Sequence, residues 1–131
     1  MIVLDASTVV EITLGLSGHG SAVARLGSES AHAPHLLSLE VAQSIRRHER
    51  AGLVPPARAA AGVGDAAQLD IVLHEHELLL PRVWQLRHNL TAYDAAYVAL
   101  AEVLDAPLVT FDAHLAAAPG HDATIELLTA V

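Results

Sequence analysis

Short apolar runs alternate along this chain with longer segments whose apolar positions recur at helical spacing. Ile2-Val3-Leu4, Ile71-Val72-Leu73 and Leu108-Val109-Thr110 are runs of the first kind, and residues 31–34 and 124–127 are weaker ones. Compact aliphatic and β-branched runs bounded by polar residues read as strands, Ile2 to Leu4 as a buried one. Between them, residues 6–14, 21–26, 36–51, 77–89, 92–104 and 113–117 read as helices. Another helix opens at Pro55-Pro56, since proline fits a first turn. It continues through 58–61, and Gly62-Val63-Gly64 is expected to weaken or end it. The glycine- and serine-rich segment 15–20 reads as a break, Gly52 and Pro119-Gly120 as stops, and Thr91 as an N-cap. Strands alternating with helices predict an α/β fold, a parallel sheet with helices on both faces. Ligands of such sheets bind beyond the carboxyl ends of the strands.

Four acids stand where these apolar elements end or turn: Asp5, Glu40, Asp94 and Asp112. Asp5 and Asp112 each follow a strand and precede a helix, so an N-cap explains either one as well as a site does. Asp94 is the third residue after Thr91, as in an acidic capping box. Glu40 lies within its helix among Leu36, Leu37, Leu39 and Val41, where capping does not explain it. A carboxylate beside an apolar core carries a desolvation cost, and gathering four adds mutual repulsion. A hard divalent cation, Mg²⁺ or Mn²⁺, removes both and, with open coordination positions, acts on phosphate esters.

Ser7 and Thr110 each lie two positions from an acid. Their hydroxyls suit either the orientation of carboxylates and metal-bound water or ordinary capping. Arg46, Arg47 and Arg50 follow Glu40, and Arg87 precedes Asp94. These guanidinium forks can hold phosphates, or simply solvate a helix face. The nine histidines spell no metal motif; His74 and His76 read as surface or rim residues.

With 131 residues, one domain spanning 1–131 is expected. The chain is 53% hydrophobic but only 3% aromatic, so its core must be aliphatic. The absence of cysteine excludes disulfides and thiolate metal sites. No stretch approaches the ~20 apolar residues of a membrane span, and no basic region precedes the first apolar run, so no signal peptide is expected. A cytoplasmic protein follows. The net charge is −8 and every basic residue is arginine. That argues against long-range attraction to nucleic acid but leaves room for a local basic rim.

At Ile2-Val3-Leu4-Asp5-Ala6-Ser7, Ala33-Pro34-His35-Leu36-Leu37-Ser38-Leu39-Glu40-Val41-Ala42, Leu90-Thr91-Ala92-Tyr93-Asp94-Ala95-Ala96-Tyr97 and Leu108-Val109-Thr110-Phe111-Asp112, the chain resembles the PIN-domain ribonucleases. The likeness is strongest to the VapC-type toxins of bacterial toxin–antitoxin pairs, and it spans essentially the whole chain. It implies a three-layer α/β/α sandwich with a central parallel sheet. It implies an acidic pocket in which Asp5 and Asp94 are the most direct Mg²⁺ ligands and Glu40 and Asp112 complete the set or hold water. It further implies endonucleolytic cleavage of RNA, a small antitoxin partner whose C-terminal segment blocks the pocket, and a homodimer. The chain departs from many relatives at Ala113-His114-Leu115, where they carry Arg or Lys near the second position, and in its strongly negative charge.

Two other readings compete. A phosphotransfer receiver needs a lysine near its phosphorylated aspartate, and an aspartyl phosphatase wants a second Asp where Ser7 stands; the chain has neither. A catalytically weak module that captures an antitoxin and contributes to transcriptional repression would keep the pocket without using it.

Overall fold

The structure is a computed structural model that describes residues 1–130. Five parallel strands form its sheet: β1 (Ile2–Leu4), β2 (Ala31–Pro34), β3 (Ile71–His74), β4 (Leu108–Thr110) and β5 (Ile125–Leu127), in the order β3-β2-β1-β4-β5. Helices α1 (Ala6–Leu14), α2 (His19–Leu26), α3 (Leu37–Arg50) and α4 (Pro56–Gln68) precede β3 and pack on one another. The chain then crosses back, through α5 (Leu80–Gln85) and α6 (Ala92–Leu104), to enter β4, and α7 (Ala113–Ala116) joins β4 to β5. α6 lies across β1, β2 and β4 and carries α5. The result is the three-layer α/β/α sandwich.

β1 sits in the centre, paired with β2 on one side and β4 on the other, and all its side chains are buried. Strands covered on both faces need continuous apolar runs rather than alternation, which Ile2-Val3-Leu4 and Leu108-Val109 supply. Against them α6 buries every residue from Ala95 to Ala101, four of them alanines. Small side chains let that helix lie close to the sheet, and Tyr97, Val98 and Leu100 fill the spaces between.

Three elements differ from their sequence-based expectation. α4 runs straight through Gly62-Val63-Gly64. A Cβ on Gly62 would stand 2.4 Å from Leu14 Cδ2 and 3.5 Å from Ile45 Cδ1, so this glycine is a contact surface for α1 and α3 and not a break. α5 is shorter than 77–89, because Pro81 must sit in a first turn and the chain after Gln85 tightens into turns at Arg87 and Asn89. α2 starts at His19, inside the expected break.

His74 and His76 are half-buried, and each has a hydrogen-bond partner. His74 Nε2 lies 2.9 Å from Nδ1 of the buried His32, tying β3 to β2, and His76 Nε2 accepts the backbone N–H of Leu36 at 3.0 Å, just before α3.

Candidate active site

In an α/β sheet the crevice opens where the strand order reverses, here between β1 and β4. The residues just past these strands are stitched together. Thr110 Oγ1 donates to Asp5 Oδ2 at 2.5 Å, and Ser7 Oγ donates to Asp5 Oδ1 at 2.7 Å. In turn Ser7 Oγ accepts the N–H of Phe111 at 3.0 Å, and Thr110 Oγ1 accepts that of Asp112 at 2.9 Å. Asp5 also caps α1, accepting from Thr8 N at 3.1 Å. The Thr8 hydroxyl lies 3.2 Å from Asp5 Oδ1 and 2.9 Å from the Val109 carbonyl. Asp5 is only 6% exposed. Burial pushes its carboxyl above the usual carboxylate range, although the hydrogen bonds from Thr110, Ser7 and Thr8 pull the other way.

The other acids arrive on helix starts. A parallel sheet gathers at one edge the N-termini of the helices that leave its strands, and α6, running back toward β4, begins there too. Glu40 is in the first turn of α3, half-buried, and Tyr97 OH donates to its Oε1 at 2.7 Å. Burial raises the Glu40 carboxyl; the Tyr97 hydrogen bond and the Arg47 charge lower it, while Asp94 and Asp5 raise it further. Asp94 is in the first turn of α6, where its N–H donates to Thr91 Oγ1 at 3.1 Å. Its carboxylate makes no hydrogen bond to Thr91, so only half of a capping box forms and the acid is left to the crevice. Burial again raises it, followed by the repulsion of Asp112 and Asp5, with His114 opposing. Asp112 caps α7 through Oδ1, which accepts from His114 N at 2.9 Å and Leu115 N at 3.2 Å.

The four acids line one open cavity of about 240 Å³, together with Ser7, Gln43, Ser44, Arg47 and Tyr97. Arg47 is the one lining residue with a permanent positive charge. The donor set is all oxygen, as hard divalent cations require. Glu40 Oε2, Asp112 Oδ2 and both oxygens of Asp94 have no hydrogen-bond partner among the described residues. As the side chains stand, no group of three or more His, Asp or Glu among those residues closes on a common metal position.

The remaining sequence candidates separate. Arg46 and Arg50 line a separate groove with Glu49, Val54 and Pro55. Arg87 is stacked over Trp84, 4.5 Å from its ring centroid, and donates to the Trp84 carbonyl at 2.8 Å. Sequence reasoning missed Tyr97, Thr8, Gln43 and Ser44 as site residues. The signal was positional: Tyr97 is one helical turn beyond Asp94, and Gln43 and Ser44 are one turn beyond Glu40.

The PIN domain profile matches residues 2–120. Ribonuclease VapC1 of Mycobacterium tuberculosis is 41% identical over 128 residues, covering 96% of each chain. Ribonuclease VapC12 of the same organism is 38% identical over 128 residues, covering 98% of this chain and 99% of that one. Among solved structures, PAE2754 from Pyrobaculum aerophilum superposes with a TM-score of 0.67 at 23% identity, over 95% of this chain and 81% of the other. VapC20 of M. tuberculosis, a sarcin-ricin loop cleaving toxin, also gives 0.67, at 16% identity over 91% of this chain and all of the other. At such identities these two speak for the fold alone. No helix among the described residues is long and apolar enough to cross a membrane.

Proposed function

The chain belongs to the PIN-domain family, and from that premise we propose that it is a metal-dependent endoribonuclease, the toxin of a toxin–antitoxin pair. One observation carries the reading. Four carboxylates share a cavity at the switch point of the sheet; burial holds Asp5, Glu40 and Asp94 above their ordinary range, and repulsion from neighbouring acids adds to it for Glu40 and Asp94. A protein gains nothing in stability from that arrangement by itself. A divalent cation resolves it, and the ribonuclease relatives supply the chemistry to which such a site belongs.

Asp5 and Asp94 would be the direct ligands of Mg²⁺ or Mn²⁺, with Glu40 and Asp112 completing the set. Bound there, the cation would lower the pKa of water and neutralise charge developing on the phosphate. Asp5 is the fixed member, since Thr110, Ser7 and Thr8 hold both its oxygens in place. Asp94 and Glu40 keep uncommitted oxygens and would supply them to the cation. Glu40, oriented by Tyr97, would align the attacking water and accept its proton, or Asp112 would do so instead.

The partners proposed are RNA, a cognate small antitoxin and a second copy of the chain, in the cytoplasm, with 1–131 acting as one domain. Exposed apolar side chains favour a protein partner: Leu39, Leu78, Leu80, Trp84 and Tyr93 are all more than half exposed, and Leu80 and Tyr93 line one groove. A catalytically weak antitoxin-binding module is the second reading, favoured by the carboxylates that do not yet close on one point.

Purified protein and its Asp94→Asn variant, incubated with total cellular RNA in Mg²⁺ or chelator, decide between them. Discrete fragments are expected only from wild type with metal. The variant should be slower by about hundredfold or more, at or beyond what even outer groups around a metal cost. Equal cleavage by both proteins sinks the assignment; folded protein that never cleaves favours the module.

A further inference from the structure

All seven cationic side chains of this acidic protein are arginines, and they are not used alike. Arg25 is paired with Glu29 and Glu126, Arg58 with Asp65, and Arg82 with Glu102 and Asp122. Arg87 lies on Trp84. Arg46, Arg47 and Arg50 are exposed and make no ion pair or side-chain hydrogen bond among the described residues. With fifteen acids in the chain, carboxylates are not scarce. Glu49 even lines the same groove as Arg46 and Arg50 without pairing with either.

The three stand on the last two turns of α3, the helix that brings Glu40 to the cavity. Arg47 is two turns beyond Glu40 on the same face and lines the cavity itself, where its charge reaches Glu40. Arg46 and Arg50, one turn apart on the same helix, line a separate groove with Pro55 and Pro56. At ~1.5 Å per residue, Arg47 lies about 10 Å and Arg50 about 15 Å along the axis from Glu40. That is the reach of a few nucleotides of single strand away from a bond cleaved beside Glu40.

We propose that the C-terminal half of α3 is a phosphate-binding track that holds the RNA backbone on one side of the cleaved bond. Arg47 takes a phosphodiester at the cavity rim, and Arg46 and Arg50 hold the strand further out. This rests on the ribonuclease reading and deepens it. Guanidinium forks match phosphate oxygens in bidentate fashion, and contacts to phosphate position a strand without reading its sequence. The track therefore supplies affinity and polarity, not the choice of target. It also explains how a chain with net charge −8 holds a polyanion: three of the four arginines without an acidic partner among the described residues stand on the helix that carries Glu40.

The test uses a short fluorescein-labelled polyuridine strand, with anisotropy read across a salt series, for wild type and the Arg46→Ala/Arg50→Ala double variant. Each phosphate contact on a single strand contributes about −0.7 to the slope of log K against log salt. The double variant should flatten that slope by about 1.4. It should also raise the KM for cleavage of long RNA about tenfold or more while leaving kcat within about twofold. Wild-type binding and cleavage with an unchanged slope in the double variant overturns the track and leaves the ribonuclease standing. Normal RNA binding with loss of the antitoxin assigns the arginines to a protein interface and also overturns it. A wild-type protein that neither binds the strand nor cleaves total RNA removes the ribonuclease reading, and the track with it.

Discussion

Asp5 shows why cap and site are not competing explanations for one residue. Its Oδ1 closes the first turn of α1 while its Oδ2 faces Thr110 across the crevice. A carboxylate has lone pairs enough for both, so the cap that the geometry shows leaves the proposed site role open to the same residue. Asp112 repeats the pattern with one oxygen on α7 and one uncommitted. Tyr97 was the residue least legible, because a tyrosine amid alanines on a buried helix reads as core, and most of its ring is core. Only its hydroxyl reaches Glu40. That hydroxyl favours the ionised form of Glu40, so its removal leaves burial, Asp94 and Asp5 less opposed and raises the Glu40 carboxyl further. If Glu40 must be ionised to act, Tyr97→Phe moves the acidic limb of the kcat/KM profile to higher pH. Loss of a hydrogen bond to a charged group also lowers the rate about tenfold near neutrality, ~1.4 kcal/mol. An unshifted acidic limb in the variant would mean that Glu40 does not govern it.

Elements were legible to the degree that their reasons were local. β1, α3 and α6 follow from apolar runs and from Thr91 and Gly52 at their ends. β2 was faint because Ala31-His32-Ala33-Pro34 has little strand propensity. It is a strand because β1 and β3 pair with it on both sides, a property of its neighbours. α4 makes the same point through its two glycines. Gly62 is pressed against Leu14 and Ile45, while a Cβ on Gly64 would meet nothing within 4 Å. Identical by local propensity, the two should respond oppositely. Gly64→Ala should raise stability by about 1 kcal/mol, the gain of alanine over glycine inside a helix. Gly62→Val should lower it by about 1–3 kcal/mol, as overpacking does. Urea denaturation of both variants reads this directly, and a stabilising Gly62→Val would show that α1 and α4 are not in close contact.

At the scale of the whole molecule, the site opposes the stability of the fold that builds it. Asp5, Glu40 and Asp94 are all raised in the folded protein, first by burial. A carboxylate raised on folding holds its proton more tightly folded than unfolded. Stability therefore falls as pH rises from the ordinary carboxylate value through the folded one, and above that window the full cost persists. For Asp94 the first-turn position on α6 works the other way by about 0.3–1 kcal/mol. Burial, with the repulsion of Asp112 and Asp5, pushes the carboxyl upward. Neutralising this residue should consequently stabilise the metal-free protein. In chelator at neutral pH, Asp94→Asn is expected to melt a few degrees above wild type. The gap should close as the pH approaches the ordinary aspartate value, about 3.9, where the wild-type acids are themselves protonated. Saturating Mg²⁺ should then raise the melting temperature of wild type, because ligand that binds only the folded state adds RT ln(1 + [L]/Kd), and should move the variant little. Scanning calorimetry across pH, with and without Mg²⁺, separates the terms. A variant less stable than wild type in chelator at neutral pH would make Asp94 a structural acid and would remove repulsion as the reason a cation belongs in the cavity.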